Sequence, residues 1–272
     1  MQMDAPLSGK DWKDPIDACM IQTGLKLGDV DDNLERALKL IDRAAGEKDP
    51  DLIVLPEVFS TGFPYEKLPE LSMRSGEVLE SLRRKAREYH SHIIFTQVVE
   101  ESGSFFNRCF ALDEKGETAA VYNKTHLFSR AGEHEFFTQG NETASFLLKG
   151  ARISPLICYE LRFPELSRKL VLEGSHVLVY MGQWPNYRIF QWEALLKARA
   201  IENQCFVIGV GVWGHHGRQL MGGGSSVFSP FGNLLCSVKE GEGYAQCTMD
   251  PSELVRFREG IPVLYERRPD LY

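Results

Sequence analysis

Short, almost wholly apolar runs constrain this chain more than any other feature. Residues 52–55 are too few and too uniformly apolar for a helix, and 206–212 are of the same kind; such runs are strands buried on both faces. Residues 18–23, 93–99 and 176–180 complete the strand set, with 153–157 leading into Cys158. Between them lie segments with apolar residues at helical spacing. Leu34, Leu38, Ile41 and Ala45 mark one helix, with Asp31 or Asp32 as its cap. Val78, Leu82, Ala86 and Tyr89 mark a second, 165–172 behind Pro164 a third, and 190–203 a long fourth. Two hairpins interrupt this rhythm: 108–112 turns through Asp113-Glu114-Lys115-Gly116 into 118–122, and 145–148 turns through Lys149-Gly150 into 152–158. The remainder is strand-rich (225–228, 234–238, 244–249), then a short helix at 251–258 and a basic, irregular tail. Strands alternating with helices predict an α/β protein whose sheets carry helices on their outer faces.

Nothing divides the chain into parts: no Gly/Ser/Pro-rich linker or charge block interrupts its 272 residues, so one domain, 1–272, is expected. A formal net charge of -7 argues against a nucleic-acid surface. No segment is long enough to span a membrane, and residues 1–13 hold no apolar stretch able to act as a signal peptide. The six cysteines form no C-x-x-C pair and sit mostly in apolar runs, which fits a reduced, cytoplasmic protein better than a zinc cage or disulfide scaffold.

Three strand ends carry reactive side chains. Glu57 follows Leu52-Ile53-Val54-Leu55-Pro56, Lys124 follows Ala120-Val121-Tyr122-Asn123, and Cys158 follows Ile153-Ser154-Pro155-Leu156-Ile157. A thiol between a strand and a helix opened by Pro164 sits near the positive end of a helix dipole, which favours the thiolate. Singly, a cysteine there is more often a small buried hydrophobe, the glutamate a cap and the lysine a solvated charge. Together they read differently, because charges at the ends of apolar strands are tolerated when they pair, and such a cluster points to catalysis.

The chain resembles the nitrilase superfamily of carbon–nitrogen hydrolases, and within it the omega-amidase-like branch. The matching motifs are Leu55-Pro56-Glu57 with Gly62-Phe63; Tyr122-Asn123-Lys124-Thr125-His126-Leu127-Phe128; Cys158-Tyr159-Glu160-Leu161-Arg162-Phe163-Pro164-Glu165; Gln183-Trp184-Pro185 with Arg188 and Trp192; and Ala198-Arg199-Ala200-Ile201-Glu202-Asn203-Gln204, closing with Asp270-Leu271-Tyr272. The resemblance implies a four-layer α-β-β-α sandwich, with two central mixed sheets and helices on both outer faces. It also implies a homodimer or larger homo-oligomer, joined across the helical layer with the tail at about 260–272 at the interface. Glu57, Lys124 and Cys158 take the roles of a Glu-Lys-Cys triad. A second glutamate belongs seven residues before a loop-closing glycine; Glu133 stands so before Gly140, and Glu135 is the alternative. Glu160 stands where many relatives carry Asp, and Gln139 where many carry a small residue or proline.

These residues imply thiol-dependent hydrolysis of a small primary amide through a thioester, with no metal and no organic cofactor. Arg188 would clamp a substrate carboxylate; Phe63, Tyr65, Phe128 and Trp184 would form apolar walls, and a backbone N–H near Tyr159 would face the oxyanion. The substrate expected is a dicarboxylic acid monoamide such as 2-oxoglutaramate or succinamate; no nucleic-acid or membrane partner is expected. Hydrolysis of a nitrile or N-carbamoyl amine, or a catalytically silent scaffold, are the alternatives. His215-His216 reads as a loop tip.

Overall fold

The computed structural model describes residues 5–271; Tyr272, the end of the closing motif, lies outside them, as do residues 1–4. The first sheet is built from β1 (Ile16–Gln22), β2 (Leu52–Val54), β3 (His92–Glu101), β4 (Ser104–Leu112) and β5 (Thr118–Asn123). The second uses β6 (Phe146–Leu148), β7 (Ala151–Ile157), β8 (Val177–Gly182) and β9 (Phe206–Gly211). A separate hairpin, β10 (Trp213–His216) and β11 (Gln219–Gly222), precedes β12 (Ser225–Phe228), β13 (Leu234–Val238) and β14 (Gly243–Met249). The six-stranded orders are β14-β1-β2-β3-β4-β5 and β13-β12-β9-β8-β7-β6. Both sheets are mixed: β1, β2 and β3 run parallel in one and β7, β8 and β9 in the other, while the flanking pairs are antiparallel. Strand β1 pairs with β14, joining Ile16 to Met249 and Gln22 to Gly243.

The helical segments are α1 (Ala5–Ser8), α2 (Val30–Glu47), α3 (Leu68–Ser72), α4 (Ser75–Tyr89), α5 (Glu133–Phe136), α6 (Pro164–Leu172), α7 (Ile189–Asn203) and α8 (Pro251–Gly260). The two-residue period of the strands explains the layering. Ala18, Met20, Leu52, Val54 and Ile94 point one way and meet Ile153, Val177, Val179, Ile208 and Val210 of the other sheet. Their neighbours Cys19, Ile21, Ile53 and Phe95 point the other way, onto Leu34, Ile41 and Ala44 of α2 and Val78 and Leu82 of α4. Leu156, Leu178, Tyr180 and Val207 likewise back onto Leu170 of α6 and Trp192, Leu196 and Ala200 of α7. The result is four layers, α-β-β-α, and it accounts for strands that are apolar on both faces.

Three local expectations differ from the structure. Helix α2 is capped by Asp29, whose carboxylate accepts from the Asp32 N–H, not by Asp31 or Asp32. Strands β3 and β4 form a long hairpin through Ser102 and Gly103, both at positive φ, rather than separate elements. The segment read as a loop tip at His215-His216 belongs to β10, with its turn at Gly217-Arg218.

Candidate active site

Strands from both sheets end around one pocket. Glu57 lies just beyond β2, Lys124 follows β5, Cys158 follows β7, and Gln183 follows β8. The Lys124 ammonium donates to Glu57 Oε1 at 2.8 Å and to both oxygens of Glu133 at 2.8 Å. All three side chains are buried, with exposures of 0–2%. Glu133 rather than Glu135 therefore turns inward; Glu135 is exposed. A Phe128 N–H donates to Glu133 Oε2 at 2.6 Å and fixes that carboxylate at the start of α5.

The lysine's backbone is held on both sides: its N–H donates to the Asn107 carbonyl, and its carbonyl accepts from the Gly140 N–H at 2.8 Å. A Cβ at Gly140 would lie 2.2 Å from the Asn123 carbonyl oxygen, so only glycine closes this loop. Asn107 Nδ2 donates to Glu57 Oε1 at 2.9 Å, and Gln183 Nε2 to the Glu57 carbonyl at 2.7 Å. Glu57 Oε2 is buried and meets no nitrogen or oxygen donor among the described residues, while the Cys158 thiol lies close enough to interact with the Glu57 carboxylate.

Cys158 occupies a left-handed backbone conformation, φ 49°, at the strand-to-helix corner. Such a φ is uncommon outside glycine and signals a corner that its surroundings enforce. Its thiol lies 4.0 Å from the Gln183 carbonyl.

The electrostatics correct one expectation. Burial, followed by the Glu57 charge, pushes the Cys158 thiol well above its ordinary pKa, with Lys124 opposing. The resting group is the thiol, not the thiolate expected from a helix dipole. Cys158 opens only a five-residue 3-10 turn, Cys158–Arg162, while α6 begins at Pro164, so little dipole bears on the sulfur and desolvation prevails. Burial also raises Glu57, aided by the Glu133 charge and opposed by Lys124. Burial would lower Lys124, but Glu57 and Glu133 outweigh it and hold the ammonium well above its usual range. The floor thus combines a fixed cation, a carboxylate made more basic than usual, and a protonated thiol.

Above this floor lies a cavity of about 440 Å³. Phe63, Tyr65 and Phe128 line it, together with Leu27 and Met221. Arg188 lies on its wall, packed 5.1 Å from the Tyr187 ring centroid and forming no ion pair among the described residues. Arg130 contributes a second guanidinium. Tyr159 and Trp184 do not line the main cavity. They face a small annex of about 40 Å³ beside Cys158, where Trp184 packs on Trp192 with Arg162 4.5 Å from its ring centroid. Trp184 is thus a core residue with one edge on the site. His216 lines the wall and is pushed down to about 4 by burial, so it is neutral near pH 7. Among the described residues no group of three His, Cys, Asp or Glu could hold a metal ion, and no helix is long and apolar enough to cross a membrane.

Sequence reasoning assigned no part to Asn107, Arg130 or His216, and took Gln183 only as a motif match and Glu160 only as a departure at a turn. For Gln183 a usable signal existed, a polar residue directly after a buried parallel strand; Asn107 and Arg130 carry none.

The carbon-nitrogen hydrolase family model matches residues 18–259. A protein of Bacillus subtilis (strain 168) named 2-oxoglutaramate amidase is 35% identical over 254 residues, covering 93% of this chain and 97% of that protein. Omega-amidase YafV of Escherichia coli (strain K12) is 35% identical over 214 residues, covering 78% and 82%. Among solved structures, XC1258 of Xanthomonas campestris, a CN-hydrolase superfamily protein with an arsenic adduct in its active site, aligns with a TM-score of 0.87 and 29% identity over 94% of this chain and 98% of that one.

Proposed function

The chain belongs to the carbon–nitrogen hydrolase family and is an amidase, and we propose that its substrates are short monoamides of dicarboxylic acids, 2-oxoglutaramate or succinamate in kind. One observation carries this reading: a cavity whose floor holds Lys124 between two carboxylates beside a thiol, and whose wall offers an arginine with no carboxylate of its own.

In the proposed chemistry Glu57 takes up and then releases one proton in each half-reaction. Cys158 Sγ adds to the amide carbonyl carbon while Glu57 takes the thiol proton. The oxyanion is stabilised by the Lys124 ammonium and by the Tyr159 N–H, which stands in the first turn of a 3-10 helix and has no intrahelical acceptor. Glu57 then passes its proton to the departing nitrogen, the C–N bond breaks, and ammonia leaves a thioester. Water adds to the thioester as Glu57 takes its proton; the same proton returns to sulfur as the acid is released. Glu133 keeps Lys124 charged and in place. A raised Glu57 suits both directions of transfer, because a stronger base also pairs better with a thiol of raised pKa.

Arg188 supports the choice of substrate, since a guanidinium presents a fork that matches a carboxylate. The aromatic walls would enclose the short chain between amide and acid. We also propose a cytoplasmic homodimer of single-domain subunits, joined across the α6–α7 layer with residues 260–272 at the interface. The exposed Phe190 and Ile201 on α7, and Val263 in the tail, favour that face. Light scattering of the purified protein tests the assembly.

Ammonia release should be compared for 2-oxoglutaramate, succinamate, glutamine, a short nitrile and N-carbamoylputrescine. The reading requires the first two to lead. A preference for the nitrile or the carbamoyl compound would replace it with that chemistry, and silence toward all five, with Cys158 unreactive to iodoacetamide, would leave a scaffold.

A further inference from the structure

Glu160 is wholly buried, yet no lysine or arginine pairs with it among the described residues. Its carboxylate instead collects five donors. Oε1 accepts from the Tyr122 hydroxyl at 2.5 Å, the Thr125 N–H and hydroxyl at 2.7 Å each, and the His126 N–H at 3.3 Å. Oε2 accepts from the Ile157 N–H at 2.6 Å. The placement of these donors is specific: Thr125 directly follows Lys124, and Ile157 directly precedes Cys158. One oxygen thus holds the lysine loop of the first sheet, and the other holds the nucleophile corner of the second.

We propose that Glu160 is a positioning residue for the amidase reaction, a single carboxylate that sets the spacing between the Lys124 ammonium and the Cys158 thiol. It touches neither substrate nor reacting atoms and works through the two backbones. The inference rests on the proposed roles of Lys124 and Cys158. Its logic is one of valence. An ionised carboxylate accepts at both oxygens, which this arrangement needs; a carboxamide accepts at one and donates at the other. In Glu160→Gln either the Ile157 N–H or the Thr125 and Tyr122 donors would face an NH2 group. One of the two segments must then move, whichever way the amide turns. Glu160→Asp keeps two acceptors but is one methylene shorter, so it should strain the bridge without reversing it.

The test measures kcat and KM for an ω-amide, the rate of Cys158 alkylation by iodoacetamide, and thermal unfolding, in Glu160→Gln, Glu160→Asp and Tyr122→Phe/Thr125→Val. A displacement of about 1 Å costs on the order of 100-fold, so Glu160→Gln should lose about that much in kcat with KM nearly unchanged. Glu160→Asp should recover part of the loss. The double variant removes two donors and leaves the charge and the Ile157 bond in place, so kcat should fall while the alkylation rate of Cys158 stays near wild type. If Glu160→Gln does not fold, the double variant decides. A lower melting temperature with unchanged kcat in the folded protein, in either variant, would reduce Glu160 to a structural residue and overturn the proposal. Cys158→Ser, run beside them, separates the two readings: full activity there would remove the nucleophile assignment itself.

Discussion

On the floor of the pocket Lys124 is held by two carboxylates, whereas on its walls Arg130 and Arg188 have no acidic partner among the described residues. The difference follows from solvent. A charge taken out of water must be matched by other charges and hydrogen bonds, so the floor is locked by its own burial. A guanidinium at a half-open wall keeps part of its hydration and is left with unused hydrogen-bonding capacity. On the reading proposed above, the floor carries the bond-breaking chemistry and the wall selects which molecule is presented to it.

The sharpest way to break this division is at sulfur. Cys158→Ser should fold as wild type yet lose on the order of 10⁴-fold or more in kcat, because losing a member of a concerted set removes most of the chemistry. Acyl-adduct mass spectrometry with a slow substrate should place the adduct on Cys158; one on Cys205 or Cys236 would refute the assignment.

Lys124→Ala attacks the floor's locking. It should lower kcat by roughly 10²–10³-fold through the oxyanion. It should also destabilise the fold by about 3–5 kcal/mol, since Glu57 and Glu133 would be buried without their cation. Denaturant unfolding measures the second effect; a near-neutral result would mean that water already reaches the cluster.

At the wall the expected effects are smaller and selective. Arg188→Ala should raise KM for carboxylate-bearing amides by roughly ten- to a hundred-fold, the worth of a charged hydrogen bond of about 1.5–3 kcal/mol. Uncharged short amides should be hydrolysed as before, and Arg188→Lys should recover only part of the loss. Equal losses for both substrate kinds would assign Arg188 to the fold.

The smallest effect concerns pH. Glu57 must be ionised to accept a proton, and burial with the Glu133 charge raises its pKa. The acid limb of kcat/KM should therefore lie above the ordinary carboxylate range, with activity lost as pH falls through it. In Glu133→Gln the like-charge contribution disappears and the limb should move to lower pH. A limb that stays in place would deny the coupling between the two carboxylates.

Sheets with helices on their outer faces were legible in the sequence because strands buried on both faces leave an unbroken apolar run, as at 52–55 and 206–212, while the stacking into four layers came from the family resemblance. Both hairpins read from turn residues were found, with Lys149 and Gly150 at positive φ. What failed was tertiary in origin. The thiolate expectation weighed Cys158 against its own helix, but burial governs it first, followed by the charges of Glu57 and Lys124 from the opposite sheet. The bonds from Tyr122, Thr125 and His126 to Glu160 and the Asn107–Glu57 bond join residues far apart in the chain, and no local pattern announces them; only the Ile157–Glu160 bond is local. The β10–β11 hairpin hid behind glycines that mimic a loop.

The pairing of β1 with β14 has a consequence for how the molecule comes into being. The chain's first long strand finds one of its two neighbours only after Gly243–Met249 has been made. Until then one edge of β1, with its bare N–H and C=O groups, is open to mispairing. Closing so distant a contact is slow, because chain entropy must be given up before the pairing offsets it. The sheet that carries Glu57 and Lys124 is one edge strand short until then.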